Sequence, residues 1–261
     1  MKIREVADAL ERFAPLPLEE SYDNAGLQIG LTDVEVSRAL LCLDVTEEII
    51  AEAKTCGCNL IIAHHPLLFR GLKCVSDANY VQRCVREAVK NDIAIYAAHT
   101  NLDNAMAGVN FKIAEQLGLE GISFLQGISR QGFDGGSGVV GTTTEQIPTT
   151  DFLQMVKSIF KADVLMHNRC TKQSIQKVAV CGGAGEFLLE EAIKQEADAF
   201  ITGEMSYHHY FGLEEQIQIC VVGHYESEQY TIELLQEVLA TLCPDLETMK
   251  TKVNTNAISY L

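Results

Sequence analysis

Short apolar runs alternate along the chain with longer segments whose apolar residues recur every three or four positions. The short runs are typical of strands buried on both faces, and the longer periodic segments are typical of amphipathic helices. This alternation predicts an α/β fold with helices layered on mostly parallel sheets.

The same order of elements occurs twice. In the first half we predict strands near 27–29, 39–43, 60–63 and 93–98, and helices near 3–13, 46–55, 79–91 and 107–117. In the second half we predict strands near 164–166, 178–181, 199–202 and 219–222, helices near 151–160, 186–196 and 227–241, and a short helix within 205–215. The pattern therefore predicts two α/β repeats, residues 1–125 and 150–261. A Gly-, Ser- and Thr-rich connector, 126–149, with one strand at 138–141, would join them.

Composition narrows the possible partners. The 261 residues are 47% hydrophobic, enough for a substantial core. The net charge of −16 argues against nucleic acid as a partner, because its phosphates would be repelled. An anionic small molecule can still bind to an acidic protein if metal ions supply local positive charge. The N-terminal segment has no signal-peptide pattern, and no apolar stretch is long enough to span a membrane. With nine scattered cysteines, we expect a cytoplasmic protein with reduced thiols.

Two adjacent histidines end one of the predicted strands. His64 and His65 follow the apolar run Leu60–Ala63 and precede Pro66. Because successive side chains of a strand point to opposite faces, two neighbours serve one site only where the strand ends and the chain turns. The pair is therefore a candidate for a ligand site, and a loop pair without a role is the alternative.

A histidine followed four residues later by a carboxylate occurs at matching places in both halves, as His99…Asp103 and His224…Glu228. If the chain turns helically there, each pair lies on one helix face, a spacing that suits two ligands of one metal ion. If the two repeats face each other, we expect five side chains to converge: His64, His65, Asp103, His224 and Glu228. Mixed imidazole and carboxylate ligands suit Zn, Fe, Mn or Ni. One catalytic zinc needs three protein ligands, so five ligands are more than one zinc ion requires. A site with two metals bridged by a carboxylate would account for all five.

Other residues carry weaker signals. His99 either contacts a metal or is a capping or neighbouring residue that never touches one. Glu204 is a carboxylate that supports a ligand, a substrate contact or a helix N-terminal acid. The Gly-rich turn 182–185 has room for a phosphate but lacks the established phosphate-binding signatures. We expect His167, His208 and His209 to be surface histidines. Cys56 and Cys58 form a single Cys-x-Cys pair, which is a weak candidate for metal binding.

Five motifs in order resemble one known family over nearly the whole chain. They are Asp23-Asn24-Ala25-Gly26-Leu27, Ala63-His64-His65-Pro66-Leu67, His99-Thr100-Asn101-Leu102-Asp103, Thr202-Gly203-Glu204, and Gly223-His224 through Glu228. They resemble the GTP cyclohydrolase 1 type 2 homologue family, also called Nif-three-like or dinuclear-metal-centre proteins.

The resemblance implies two intertwined α-β-(βα)3 repeats with mixed sheets in three α/β/α layers, a metal pair between the repeats, and a ring-shaped homohexamer. It also implies that His65 and Asp103 bind one metal, that His64 and His224 bind the other, and that Glu228 bridges them, with zinc favoured. His99 and Glu204 would lie close by as candidate catalytic residues.

Three hypotheses for function follow. The first is a dinuclear metal-dependent hydrolase, in which Asp103 and Glu228 also orient the attacking water. The resemblance suggests a purine nucleotide as its substrate, and a phosphoester would use the same metals equally well. The second is a non-catalytic metal-binding protein, an adaptor or a metallochaperone. The third is a purely structural metal that ties the repeats together.

Overall fold

The computed structural model of the protein describes residues 1–169 and 171–261. Its α-helices, in chain order, are α1 (Ile3–Phe13), α2 (Glu47–Thr55), α3 (Tyr80–Lys90), α4 (Thr100–Asp103), α5 (Val109–Gln116), α6 (Thr149–Ile159), α7 (Leu189–Lys194), α8 (His224–Glu228) and α9 (Thr231–Leu242). Its strands are β1 (Gly26–Ile29), β2 (Ala39–Cys42), β3 (Leu60–Ala63), β4 (Ala94–Ala97), β5 (Glu120–Arg130), β6 (Phe133–Pro148), β7 (Met166–His167), β8 (Ser174–Cys181), β9 (Ala199–Thr202), β10 (Gln218–Val221) and β11 (Thr248–Lys250). The predicted α/β class is confirmed.

The chain forms two compact units whose boundaries differ from those of the predicted halves. The first unit is Met1–Leu102 with Thr231–Ala257, and the second is Asp103–Tyr230 with Ile258–Leu261. The C-terminal strand β11 belongs to the first unit because it pairs in parallel with β2. Local apolar periodicity carries no information about a pairing partner so far along the chain.

The first unit contains a five-stranded mixed sheet in the order β1-β4-β3-β2-β11. The strands β2, β3 and β4 are parallel and in level register, so that Cys42 pairs with Ala63 and Ala63 pairs with Ala97. Every residue of these three strands is buried, which explains their uninterrupted apolar runs. Because the three strands end level, the residues that follow them emerge at one edge of the sheet.

Helices cover both faces of this first sheet. On one face, α2 and α3 pack against alternate strand residues, among them Leu40, Ile61 and Ile95. On the opposite face the Glu11 side chain of α1 lies near the Tyr96 hydroxyl, whose pKa is raised mainly by burial and further by the charge of Glu11. The first unit therefore has the expected three-layer α/β/α arrangement.

The second unit contains a six-stranded mixed sheet in the order β5-β6-β8-β9-β10-β7. The strands β8, β9 and β10 are parallel, and the others pair antiparallel. Residues 126–149, expected to be a connector with one strand, instead lie largely in the hairpin of β5 and β6. The apolar pattern did not indicate this hairpin, because small residues occupy positions where a larger side chain has no room. At Gly136, for example, a Cβ would lie 2.5 Å from the Phe124 ring.

The core of the second unit lies between its sheet and α7, where Phe200 on β9 is fully buried. The longest helix within residues 1–169 and 171–261, α9, has 12 residues, and none of the described helices combines the length and apolar character needed to cross a membrane.

We predict that Phe200→Ala lowers the free energy of unfolding by about 3–5 kcal/mol, because it leaves a cavity in this core. Phe187→Ala is the matched control, since Phe187 is 61% exposed, and its cost is expected to stay below about 0.5 kcal/mol. Urea denaturation followed by far-UV circular dichroism measures both. Equal costs for the two variants would contradict the assignment of Phe200 to the core.

Candidate metal centre

Three histidines of the first unit meet where β3 and β4 end. The backbone N–H groups of His64 and His65 still donate to the carbonyls of Cys42 and Leu43, at 3.1 and 2.9 Å, so the strand pairing holds both histidines in place. The ring centroids of His64, His65 and His99 lie 4.9–5.4 Å apart. One potential ligand atom from each lies within 4.8 Å of the others, and such a group could hold a metal ion.

Each of these rings is fixed through its Nδ1 atom by an oxygen that only accepts hydrogen bonds. The distances are 2.7 Å from His64 to the Ala98 carbonyl, 2.8 Å from His65 to the Asp44 carboxylate and 2.7 Å from His99 to the Asp23 carboxylate. The proton of each neutral ring therefore sits on Nδ1, and the lone pair sits on Nε2. This is the arrangement of metal-binding histidines in proteins, whose other ring nitrogen donates to a carboxylate or a carbonyl.

The side chain of Asp23 is completely covered, and its charge is stabilised by hydrogen bonds. Its oxygens accept from the Thr100 hydroxyl, from the Thr100 N–H at 3.0 Å and from the Asn24 N–H at 2.7 Å. Burial acts to raise the pKa of Asp23, but the hydrogen bonds from His99, Thr100 and Asn24 outweigh it and lower the pKa to about 2. Asp23 is thus a carboxylate at neutral pH and a fixed negative partner for His99.

Asp44 holds His65 in a similar way. Burial acts to raise the pKa of Asp44, but hydrogen bonds from His65 and Thr255 outweigh it, and the net shift is downward. The Thr255 hydroxyl donates to the second carboxylate oxygen at 2.7 Å. Sequence reasoning did not single out Asp23 or Asp44 as partners of the histidines. Only Asp44 gave a usable signal, because it directly follows the β2 end beside β3, whereas Asp23 lies 76 positions before His99.

In the second unit, His224 and Glu228 begin and end α8, so the chain does turn helically there, which is the condition for the two side chains to lie on one helix face. The His224 Nε2 atom lies 3.2 Å from Glu228 Oε2. Two ligands bound at about 2.0–2.1 Å in a tetrahedral arrangement are about 3.3 Å apart, so this pair could bind one ion without rearrangement. The Nδ1 atom of His224 lies 2.7 Å from Glu204 Oε1, which makes Glu204 the carboxylate that orients His224.

Asp103 ends α4, so the chain also turns helically after His99. Its backbone carbonyl accepts a hydrogen bond from Asn110 Nδ2 at 3.2 Å. Burial raises the pKa of the Cys181 thiol, and the charges of Asp103 and Glu228 raise it further. Both carboxylates therefore exert an electrostatic effect on the same side chain of the second unit, the Cys181 thiol.

Two glycines at the ends of β8 and β9 leave room for α8. Gly183 has φ of +59°, and a Cβ there would lie 2.3 Å from Glu228 Oε1. A Cβ on Gly203 would lie 2.8 Å from the Ser227 hydroxyl. These contacts set the position of the helix that carries His224 and Glu228.

The turn 182–185 uses its N–H groups within the protein rather than presenting them to a phosphate. Gly182 donates to Asn110 Oδ1 at 3.0 Å, Gly183 to Ser227 Oγ at 2.9 Å and Gly185 to Thr202 Oγ1 at 3.1 Å. Its glycines are explained by close packing, and the suggestion of a phosphate site receives no support.

The weaker candidates lie apart from these groups. His208 and His209 are exposed in a 3-10 helix, Tyr207–Tyr210, and His167 is exposed on β7. Within residues 1–169 and 171–261, no cluster of potential metal ligands includes Cys56 or Cys58. The structure thus groups His64, His65 and His99 in the first unit, and His224, Glu228 and Glu204 in the second. The convergence of the five proposed ligands stays a prediction.

Comparison with known proteins identifies relatives along almost the full length. Residues 1–257 match the Duf34/NIF3 (NGG1p interacting factor 3) family. A Clostridium perfringens protein named GTP cyclohydrolase 1 type 2 homolog is 33% identical over 258 residues, covering 97% of each chain. A Lactococcus lactis protein of the same name is 35% identical over 211 residues, covering 80% of this chain and 79% of the relative.

Solved structures share the fold. The crystal structure of Staphylococcus aureus protein SA1388 matches with a TM-score of 0.90 at 27% identity, covering 100% of this chain and 99% of that one. A Bacillus cereus protein related to NIF3 matches with a TM-score of 0.89 at 24% identity, covering 100% and 99% of the two chains. Sequence and fold agree, and the chain belongs to the Duf34/NIF3 family.

Proposed function

We propose that the protein binds two divalent metal ions and uses them to hydrolyse a nucleotide-like or other anionic small molecule. His65 and Asp103 would hold one ion, His64 and His224 the other, and Glu228 would bridge them. Imidazole and carboxylate ligands suit Zn, Fe, Mn and Ni, and of these we propose zinc as the favoured metal. We also propose that the chain assembles into a homohexamer.

The observation that carries this proposal is the fixed orientation of the histidines. In all four cases (His64, His65, His99 and His224) Nδ1 lies within 2.8 Å of a carbonyl or carboxylate oxygen. The exposed His167 also has its Nδ1 2.8 Å from a carbonyl, that of Asn168, but it stands alone, whereas the rings of His64, His65 and His99 lie 4.9–5.4 Å apart. Fixing these rings costs conformational entropy, and a metal site that needs their Nε2 atoms in defined positions would explain why they are fixed.

The carboxylates fit the same proposal. The Glu228 side chain is only 5% exposed, and Asp103 acts on the same thiol as Glu228 does. Two carboxylates that act on one thiol, in a chain of net charge −16, add to the local negative charge. Divalent cations would offset this charge and would also attract an anionic substrate.

When bound, two such ions lower the pKa of a water molecule and neutralise the negative charge of the substrate. The residues of the chain then supply orientation and proton transfer. Asp103 and Glu228 accept hydrogen bonds from the attacking water and orient it. His99, whose Nδ1 is held by Asp23, offers Nε2 as the atom that takes up a proton and returns it to the leaving group. Glu204 holds the His224 ring in place.

The substrate class is supported by the names of the relatives, which call them GTP cyclohydrolase 1 type 2 homologs. Opening of a purine ring and hydrolysis of a phosphoester make the same demands on these residues. Both reactions need an activated water and a neutralised anion, so both belong in the assay.

We predict that the His65→Ala, Glu228→Ala double variant loses at least about a hundredfold in turnover, because it removes a ligand of one ion and the bridge between the two. Metal-loaded protein is assayed against GTP and a panel of phosphoesters, with metal content measured on the same samples. His208→Ala, which removes an exposed histidine outside these groups, is the control and should retain full activity. Equal turnover by the double variant and the unaltered protein would contradict the proposal. Bound metal without turnover on any substrate would favour an adaptor or metallochaperone.

Gly183→Ala is expected to weaken metal binding about tenfold, because the added Cβ would displace the Glu228 carboxylate. Gly118→Ala is the matched control: Gly118 has φ of +67°, close to the +59° of Gly183, but its Cβ would meet nothing within 4 Å. Both variants carry the same backbone strain, about 1 kcal/mol, so their difference isolates the contact with Glu228. Competition with a chromogenic chelator measures the affinity. The same affinity in both variants would show that the position of Glu228 does not matter for metal binding.

A further inference from the structure

Two aromatic rings are exposed beside the histidine group of the first unit. The Phe69 ring centroid lies 6.3 Å from that of His99 and 6.3 Å from that of Tyr22. Phe69 is 41% exposed and Tyr22 is 63% exposed. Exposure alone does not set these rings apart, since Phe187 and Phe211 are 61% and 59% exposed. Their position does, because Phe69 contacts the ring of His99.

Flexibility does not explain the exposure, because the backbone at both rings is fixed. Tyr22 directly precedes Asp23, whose carboxylate is bound by His99 and Thr100. On the other side, the Leu68 N–H donates to Gln28 Oε1 at 3.0 Å, and the Leu68 carbonyl accepts from Asn24 Nδ2 at 2.7 Å.

The geometry of the rings suits recognition of a flat group. The interplanar angle is 62° between Tyr22 and Phe69 and 84° between Phe69 and His99, so these rings meet edge to face and neither pair is stacked. A planar ligand binds aromatic side chains mainly through their faces. In a strongly acidic chain, such stacking gives an attraction that does not depend on charge.

Positive charge follows in the same segment. Arg70 comes directly after Phe69 and Lys73 comes three residues later, and both are exposed. In the chain as a whole, basic residues are outnumbered, 20 against 36 acidic ones. An aromatic surface followed by cationic side chains matches a ligand that carries both a flat ring and an anionic group.

We propose that Phe69, together with Tyr22, forms a stacking platform that selects substrates with a planar aromatic ring, such as a nucleobase, over aliphatic anions. This inference rests on the proposed function, because it makes the neighbouring histidine group the reaction centre. Phe69 is then a specificity-determining residue, which contacts the ring and takes no part in the chemical step.

The test compares two ligands that differ in the base alone, guanosine 5′-monophosphate and ribose 5-phosphate, by isothermal titration calorimetry on metal-loaded protein. We expect the unaltered protein to bind the nucleotide at least about tenfold more tightly. Phe69→Ala should reduce nucleotide affinity about tenfold and leave ribose 5-phosphate unchanged. Phe69→Trp should retain the preference, whereas Phe69→Leu, which is apolar but lacks a ring, should not.

Phe187→Ala is the matched control, because Phe187 is also an exposed phenylalanine, at 61%, and it should change neither affinity. Equal binding of the two ligands, no binding of either, or an equal loss of both in Phe69→Ala would overturn the platform. A changed sedimentation coefficient of Phe69→Ala with unchanged ligand affinities would assign the ring to a subunit contact and would also overturn it. A base preference in a protein that neither holds metal nor turns over substrate would contradict the proposed function alone.

Discussion

Each histidine of the candidate metal centre is held through Nδ1 by an oxygen that can only accept a hydrogen bond, and the proposed metal binding depends on this constraint. A neutral imidazole has one proton, and the acceptor decides which nitrogen carries it. Where the acceptor is a carboxylate, its charge also makes the opposite nitrogen a better electron donor. Asp23, Asp44 and Glu204 all act in this way on their histidines.

The fold supplies Asp44 and Glu204 just after the ends of parallel strands, β2 and β9, whereas Asp23 comes from the segment before β1. In the first unit, β2, β3 and β4 end in register, so Asp44, the histidine pair and His99 emerge at one edge. In the second unit, glycines at the ends of β8 and β9 allow α8 to approach closely, and this approach positions Glu228. Buried, charged groups are unfavourable unless hydrogen bonds or counter-charges stabilise them. The hydrogen bonds to Asp23, which lower its pKa to about 2, show how the first unit meets this requirement.

The sequence predicted much of this arrangement, for identifiable reasons. Buried parallel strands leave uninterrupted apolar runs, and these predicted the strands that end at His64 and His99. The four-residue spacing of His224 and Glu228 suited one helix face only if the chain turned helically there, which it does. The hairpin of β5 and β6 was missed because glycine occupies positions such as Gly136, where a side chain has no space. The pairing of β11 with β2 and the bond from Asp23 to His99 join residues far apart in the chain, and no local pattern marks them.

The most direct test of this account is the metal content of the purified protein, measured by inductively coupled plasma mass spectrometry beside that of a His65→Ala variant. The account predicts about two divalent ions per chain in the unaltered protein, and a loss of about one ion in the variant, because one ion keeps its imidazole ligands and the other does not. Absence of bound metal from the unaltered protein after incubation with zinc, or the same metal content in both proteins, would contradict it.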